Sequence, residues 1–313
     1  MTIAALGVLV LAGIAVLWGY QYYAAENPLL DTLFDVWLRR QSLDALDAAC
    51  VANTRRVDIV VTLTTLPSRI NRLDLTLKSL LRQRVAPAAI RINVPRESRR
   101  EGVAYAIPAW LARLRSVTIV RTGDVGPVTK VLPSLLDSPA NQRLLVVDDD
   151  RVFHPHFVKQ FAAWSDRHPD AALAGSGWDA PADLVDRPTT LRATLVGRAP
   201  APIKSTRVRG CREVDIVQGV SGYLVRPRFF DLAAVVDYAN APEAAFFVDD
   251  VWISAHCHAR KLVCEGRRAS FPSLFDARFF KRSSVALVNR GSGSLDGRNN
   301  TIMLKHFAGR WRR

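Results

Sequence analysis

The sequence predicts an α/β fold built around a mostly parallel central sheet. Four apolar runs have the composition of strands that are buried on both faces, as in parallel sheets. These runs lie at 57–65, 89–94, 117–122 and 143–148. Segments with leucines or other apolar residues at helical spacing separate them, at 70–83, 107–114 and 129–136. Strands that alternate with helices in this way are typical of βαβ units.

The N-terminus predicts a membrane anchor. Residues 1–25 contain no charged side chain, and the apolar run at 3–20 is long enough to cross a bilayer as a helix. Trp18 and the tyrosines that follow it resemble the aromatic belt at a membrane surface. The positive n-region and cleavage site of a signal peptide are not evident, so we expect the segment to remain as a transmembrane anchor.

The first basic residues, Arg39 and Arg40, follow the apolar run, and none precedes it. This order predicts a single-pass membrane protein with its bulk in the cytoplasm. The composition, rich in Ala and Arg, is typical of a bacterium with a GC-rich genome, which favours the bacterial inner membrane. The alternative is the Golgi arrangement, in which one anchor precedes a lumenal enzyme.

The chain divides into three predicted parts. The anchor at 1–25 is followed by a helical juxtamembrane segment at 26–55, which packs either on the membrane or on the rest of the protein. One α/β domain then occupies 56–313, a length that supports a full-sized core.

The net charge and the cysteines indicate which classes of partner and which cellular compartment to expect. The formal net charge of +14 favours anionic partners, namely nucleic acid, anionic lipid headgroups or phosphate-bearing substrates. The four cysteines are widely spaced and form no C-x-x-C pair, which argues against a zinc knuckle or a redox motif of that type. We therefore expect Cys50, Cys211, Cys257 and Cys264 to be reduced thiols in the cytosol.

Three consecutive aspartates, Asp148, Asp149 and Asp150, follow the fourth predicted strand. Neighbouring carboxylates repel each other and are costly to dehydrate, so a fold tends to place them where a cation or ligand compensates them. The alternative is a solvated acidic turn. Ligands of open α/β sheets bind at the carboxyl ends of strands, and Asp-x-Asp oxygens suit Mg²⁺ or Mn²⁺. A second acidic pair, Asp249 and Asp250, follows a later apolar run, and helix capping is its structural alternative.

Taken in order, five segments of the chain resemble a GT-A-type glycosyltransferase, similar to the family 2 enzymes and to the C-terminal domain of exostosins. The segments read IVVTLTTLPSRI, GPVTKVLPSLL, LLVVDDDRVFHPHFVKQFAAW, VQGVSGYLVRPRFF and FFVDDVWIS, and they cover about 57–266. The resemblance implies a Rossmann-like sheet with flanking helices, preceded here by the N-terminal transmembrane helix. It also implies a nucleotide-sugar donor, a divalent metal, and transfer of the sugar to a hydroxyl of a glycan or lipid-linked acceptor.

The resemblance assigns the metal site to the Asp-x-Asp motif. Asp150 is expected to coordinate Mn²⁺ or Mg²⁺, Asp148 to contact the ribose or the metal's water shell, and Asp149 to occupy the variable middle position. Several GT-A enzymes complete the metal site with a histidine near the end of the chain. His306 is the candidate here, and its structural alternative is a surface histidine beside a lysine.

Four further residues are expected on the donor side. By the resemblance, Thr64 and Arg69 lie where the loop after the first strand meets the nucleotide, and Asn93 ends the second strand near the base. Lys130, shortly before the acidic strand, could contact a phosphate, or it is an ordinary exposed lysine.

The acceptor side is assigned to two other segments. Asp250 matches the general base of inverting members of the fold, although the family usually has Glu at the position of Asp249. That difference leaves open which of the two carboxylates faces the acceptor, and if neither does, the mechanism is retaining. Gly219 and Gly222 resemble the glycine-bearing acceptor loop.

Two other classes of function compete with this interpretation. A haloacid-dehalogenase-like phosphatase also places Asp-x-Asp after an apolar strand, but that strand usually comes first in its domain, and here three predicted strands precede it. A membrane-tethered module that binds nucleic acid or anionic lipid is suggested by the charge. The arginines are spread through the chain rather than gathered with stacking aromatic residues, so we expect no nucleic-acid partner.

Overall fold

The computed structural model describes residues 3–276, 291 and 293–312, so parts of the predicted 1–25 and 56–313 segments lie outside the described residues. The strands are β1 (Arg56–Leu63), β2 (Ala86–Pro95), β3 (Glu97–Ser98), β4 (Val103–Ala104), β5 (Val117–Thr122), β6 (Arg143–Val146), β7 (Arg151–Phe153), β8 (Ala171–Ala174), β9 (Ser176–Trp178), β10 (Ile203–Lys204), β11 (Cys211–Glu213), β12 (Ile216–Val217), β13 (Tyr223–Val225), β14 (Arg260–Cys264) and β15 (Ser270–Pro272). The helices are α1 (Ile3–Ala24), α2 (Pro28–Arg39), α3 (Leu43–Ala52), α4 (Asp74–Leu81), α5 (Ala109–Ala112), α6 (Leu132–Asp137), α7 (Phe157–Arg167), α8 (Leu191–Val196), α9 (Leu232–Val236), α10 (Asp249–His256) and α11 (Asn299–His306).

The central sheet has eight strands in the order β11-β14-β8-β13-β6-β1-β2-β5. Strands β6, β1, β2 and β5 pair in parallel, as do β14 and β8, while β13 and β11 run antiparallel to their neighbours. The four strands predicted from apolar runs are therefore confirmed as one parallel block. A mixed sheet of this kind fits a GT-A-like fold.

The sheet is buried on both faces, which explains why its strands are apolar at successive positions. In β6, Leu145 faces the core shared with α4 and α7, whereas Leu144 and Val146 face the core shared with α6, α10 and α11. Side chains alternate between the two faces of a strand, so both parities must be apolar when helices cover both sides.

The segment after α1 is helical and packs against the α/β domain. Asn27 and Ser42 cap α2 and α3 by accepting hydrogen bonds from the backbone N–H groups of Leu30 and Ala45. Leu38 of α2 is fully buried in the core that also contains α4. Of the two placements left open by the sequence, the helices take the one on the protein.

The membrane prediction requires a correction. Across the described part of the chain, the structure contains no helix with the length and apolar character needed to span a bilayer. The predicted transmembrane anchor at 1–25, and the single-pass localisation that depended on it, are therefore contradicted.

The cysteine prediction was also wrong in part. Cys211 and Cys264 form a disulfide, although 53 positions separate them in the sequence. Antiparallel pairing of β11 with β14 places the two residues directly opposite each other, a register that the spacing of cysteines along the chain does not reveal. Cys50 and Cys257 are free and buried.

Candidate active site

A cavity of about 490 Å³ opens at the carboxyl ends of the parallel strands. Residues that follow β1, β2, β5 and β6 line it, together with the first turn of α10. This is the edge at which an open α/β sheet places its ligands. The three aspartates after β6 and the pair at the start of α10 all face this cavity, so the structure brings the two acidic motifs together.

The three consecutive aspartates have different surroundings. The carboxylate of Asp148 contacts Nζ of Lys130 at 2.6 Å. The carboxylate of Asp149 accepts hydrogen bonds from the hydroxyl of Thr65 at 2.7 Å and from Nη1 of Arg69 at 3.2 Å. No hydrogen bond among the described residues goes to the side chain of Asp150. Burial, followed by the charges of Asp149 and Asp148, raises the pKa of Asp150 to about 6.

Lys130 joins the two acidic motifs. Its ammonium group is buried and lies 2.6 Å from Asp148 Oδ1 and 2.6 Å from Asp249 Oδ2. Burial alone would lower the pKa of Lys130, but the carboxylates of Asp148 and Asp249 outweigh it and hold the pKa well above the usual range. The alternative of an ordinary exposed lysine is therefore excluded, while the predicted contact with a phosphate stays a prediction for an ammonium that lies between two carboxylates.

Asp250 lines the cavity and contacts the backbone of Gly219 directly. The carboxylate of Asp250 accepts a hydrogen bond from the backbone N–H of Gly219 at 3.1 Å. Burial, followed by the charge of Asp249, raises the pKa of Asp250 well above its usual value. A Cβ at position 219 would lie 2.6 Å from both Asp148 Oδ1 and Lys130 Nζ, so a side chain here would displace the contact between these two residues. Gly222 has a φ of +72°, a backbone conformation that favours glycine, and a Cβ there would lie 2.6 Å from the ring of Phe157.

Of the remaining predicted site residues, two line the cavity and two lie away from it. Thr64 and Arg69 line the cavity, as expected from the loop after β1. Asn93 is fully buried within β2, where its amide donates to the hydroxyl of Thr62 at 3.1 Å. Because β2 continues to Pro95, Asn93 does not reach the cavity edge, and the donor-side role expected for it finds no support there. His306 is exposed at the end of α11, and it is not among the residues that line the cavity.

Sequence reasoning missed several residues of the site. Asp124 follows β5 at the same sheet edge, so the rule that identified the other aspartates would also have found it. Arg100 and Tyr105 come from the connection between β2 and β5, and nothing in their sequence context distinguishes them. Arg151 lines the cavity and pairs with Glu26 at 3.0 Å, a contact across more than a hundred residues that no local pattern predicts.

The oxygens of the three consecutive aspartates can be compared with the ligands that a divalent cation requires. Both oxygens of Asp149 are engaged, but the Asp150 carboxylate and Oδ2 of Asp148 have no protein hydrogen bond among the described residues. Within those residues, the acidic oxygens do not converge into a preformed three-ligand metal site. Two carboxylates without further protein ligands fit Mg²⁺ or Mn²⁺, which are often held by one or two carboxylates together with the phosphates of a substrate.

No protein-family model matches the sequence, and no curated protein matches it. Among solved structures, the chain is similar to residues 1–349 of S. aureus TarS, with 13% identity over 81% of this chain and 71% of that chain and a TM-score of 0.47. The same TarS fragment in complex with UDP-GlcNAc covers 69% of this chain and 58% of that chain, with 14% identity and a TM-score of 0.43. A 4-diphosphocytidyl-2C-methyl-D-erythritol synthase is 12% identical over 72% of this chain and 97% of that chain, with a TM-score of 0.41. These similarities concern the fold, and the chemistry of the site rests on its own residues.

Proposed function

We propose that the protein is a metal-dependent glycosyltransferase that moves a sugar from a nucleotide-diphosphate donor to a hydroxyl of a glycan or lipid-linked acceptor. The observation that carries the proposal is the meeting of two acidic motifs in one cavity at the carboxyl ends of the parallel strands. About one hundred residues separate the motifs in sequence, and each has a distinct electrostatic environment.

On the donor side, Asp150 and the free oxygen of Asp148 would hold Mg²⁺ or Mn²⁺. The chemistry that the bound cation supplies is neutralisation of the diphosphate leaving group. Lys130 fixes the other oxygen of Asp148, so this carboxylate has a defined orientation toward the cavity. Asp149 is not a proposed metal ligand, because its two oxygens accept hydrogen bonds from Thr65 and Arg69.

On the acceptor side, Asp250 is the proposed general base of an inverting displacement. Asp249 is compensated by Lys130, whereas Asp250 receives a single backbone hydrogen bond from Gly219. Burial raises the pKa of Asp250 above its usual value, which makes this carboxylate more basic than an exposed aspartate. The backbone of Gly219 packs closely against Asp148 and Lys130, and this packing places its N–H group within hydrogen-bond distance of Asp250.

The test is calorimetric binding of UDP-, GDP- and dTDP-sugars to the full chain, with and without Mn²⁺. We expect one nucleotide class to bind in a metal-dependent manner and Asp150→Asn to abolish that dependence. Asp166→Asn is the matched control, since this aspartate is exposed and pairs with Arg143 at the opposite end of β6. It should bind as the wild-type protein does.

Absence of nucleotide binding by the folded protein under every metal condition would contradict the proposal. Beryllofluoride, a mimic of an aspartyl phosphate, would then be tested, because its binding would favour the phosphatase alternative. The strand order argues against that alternative, since β1, β2 and β5 of the central sheet all precede β6 in the chain.

A further inference from the structure

Arg100 is a cation of the cavity whose charge no carboxylate neutralises directly. It lies between β3 and β4 and lines the cavity. Among the described residues, no carboxylate oxygen comes within ion-pair distance of its guanidinium group, and its Nε is buried without a hydrogen-bond partner. A guanidinium has five N–H donors and stays charged in proteins, so leaving the buried Nε–H without a partner is costly.

The other cations that line the cavity already have carboxylate partners. Lys130 contacts Asp148 and Asp249, and Arg69 contacts Asp149. Arg151 pairs with Glu26 at 3.0 Å. Carboxylates outnumber cations among the lining residues, so an anionic ligand is attracted only by the proposed divalent cation or by a side-chain cation that is not already paired.

Arg100 is held in place by contacts that leave its charge free. Its Nη2 donates a hydrogen bond to the carbonyl oxygen of Phe246 at 3.1 Å. Its guanidinium carbon also lies 5.6 Å from the ring centre of Phe246 and 5.3 Å from that of Phe247. Contacts with aromatic faces orient a guanidinium without neutralising it. Phe246 and Phe247 directly precede the turn that carries Asp249 and Asp250, so Arg100 is positioned beside the acidic pair.

We propose that Arg100 binds an oxyanion of the substrate, either a phosphate of the donor or an acidic group of the acceptor. The inference rests on the proposed function. A guanidinium matches phosphate and carboxylate oxygens with two parallel hydrogen bonds, which an ammonium cannot do. This residue would therefore position the charged part of a substrate next to the carboxylates that act on it.

The experiment measures binding of inorganic phosphate, inorganic pyrophosphate, UDP, GDP, dTDP and the matching nucleosides to the full chain in the presence of Mn²⁺. The variants are Arg100→Gln, which removes the charge, and Arg100→Lys, which keeps the charge but not the paired donors. The control is Arg99→Gln, because Arg99 is exposed and stacks on the same Phe246 ring at 4.5 Å.

If the donor supplies the oxyanion, Arg100→Gln should weaken pyrophosphate and nucleoside diphosphate binding about tenfold or more, while nucleoside binding stays unchanged. Arg100→Lys should fall between Arg100→Gln and the wild-type protein, and Arg99→Gln should bind normally. If the acceptor supplies the oxyanion, Arg100→Gln and the wild-type protein should have the same affinity for diphosphates. Inorganic phosphate should then bind the nucleotide-saturated wild-type protein but not nucleotide-saturated Arg100→Gln.

Equal affinities of wild-type protein and Arg100→Gln for all of these anions would overturn the inference. That outcome is distinct from failure of the proposed function, in which the wild-type protein itself binds no nucleotide. Folding of each variant is checked by its denaturation midpoint, and Arg100→Lys, which keeps the buried charge, provides a second readout if Arg100→Gln is unstable.

Discussion

The protein buries carboxylates in two regions, which differ in how many hydrogen bonds these carboxylates accept. In α2 and α3, Asp31, Asp35 and Asp47 are at most 5% exposed. Each accepts at least two hydrogen bonds from the protein. The donors are Asn27 N and Arg268 Nη1 for Asp31, Arg39 Nε and Ser273 Oγ for Asp35, and the backbone N–H groups of Arg115 and Ser116 for Asp47.

Two of the cavity carboxylates, Asp150 and Asp250, are more exposed but accept fewer hydrogen bonds. Asp150 receives no hydrogen bond from the described residues, and Asp250 receives one from the backbone of Gly219. The pKa values of both are raised, chiefly by burial. Burial of a carboxylate is therefore not what distinguishes the candidate site. The distinction lies in carboxylates that the fold leaves for a ligand to compensate.

The largest expected effect comes from removing the cation that the two acidic motifs share. Lys130→Met should destabilise the protein by about 3–5 kcal/mol, because Asp148 and Asp249 would be left without a counter-charge. Urea denaturation at pH 8 measures the change. Lys159→Met, on the exposed side of α7, is the control and should cost less than about 0.5 kcal/mol. A similar small loss for Lys130→Met would show that the two motifs do not depend on their shared lysine.

In the N-terminal helices, a carboxylate should matter for stability and not for ligand binding. Asp47→Asn turns one acceptor oxygen into a donor and leaves a backbone N–H of Arg115 or Ser116 unsatisfied, which should cost about 1–3 kcal/mol. Asp44→Asn on the same helix is the control, since Asp44 is 61% exposed and pairs with Arg113 at the surface. Denaturation curves give the free energy of unfolding. Reduced nucleotide affinity in folded Asp47→Asn would contradict the division between the two regions.

In the cavity, an Asp→Asn substitution should stabilise the protein, whereas Asp47→Asn should destabilise it. Burial raises the pKa of Asp150 from 3.8 to about 6, so ionisation is less favourable in the folded protein than in the unfolded chain. The folded protein therefore loses stability as the pH rises from about 4 to 6, and the loss stays constant above that range. Asp150→Asn removes this loss and should stabilise the metal-free protein by about 1–3 kcal/mol at pH 8.

Denaturation of Asp150→Asn and wild-type protein at pH 4.5 and pH 8, with a chelator present, tests this sign. The difference between them should be larger at pH 8. A variant that is less stable than the wild-type protein at both pH values would mean that Asp150 has a structural role like that of Asp47.

The sequence predicted the parallel block of the sheet and the acidic ends of its strands because both follow from local patterns. Strand β6 is apolar at successive positions, and Asp148 follows it after Val147. The partners of these residues are not local. The Lys130 bridge, the bond from Gly219 to Asp250 and the disulfide between Cys211 and Cys264 depend on how distant segments pack. Asn93 is an example: β2 continues beyond it to Pro95, so its side chain lies in the core and not at the cavity edge.

The smallest expected effect concerns pH and follows from the same carboxylate. A cation and a proton compete for Asp150, so metal-dependent nucleotide affinity should be constant above pH 7 and decrease below about pH 6, where the carboxyl protonates. The decrease should approach about tenfold per pH unit, because each bound cation displaces one proton. Calorimetric titrations in Mn²⁺ at pH 5, 6, 7 and 8 measure it, and titrations without metal are the control. Asp150→Asn should bind weakly and without this dependence. If the affinity of the wild-type protein in Mn²⁺ stays constant down to pH 5, the cation is bound elsewhere. Cation binding would then no longer explain why Asp150 has no hydrogen-bond partner among the described residues.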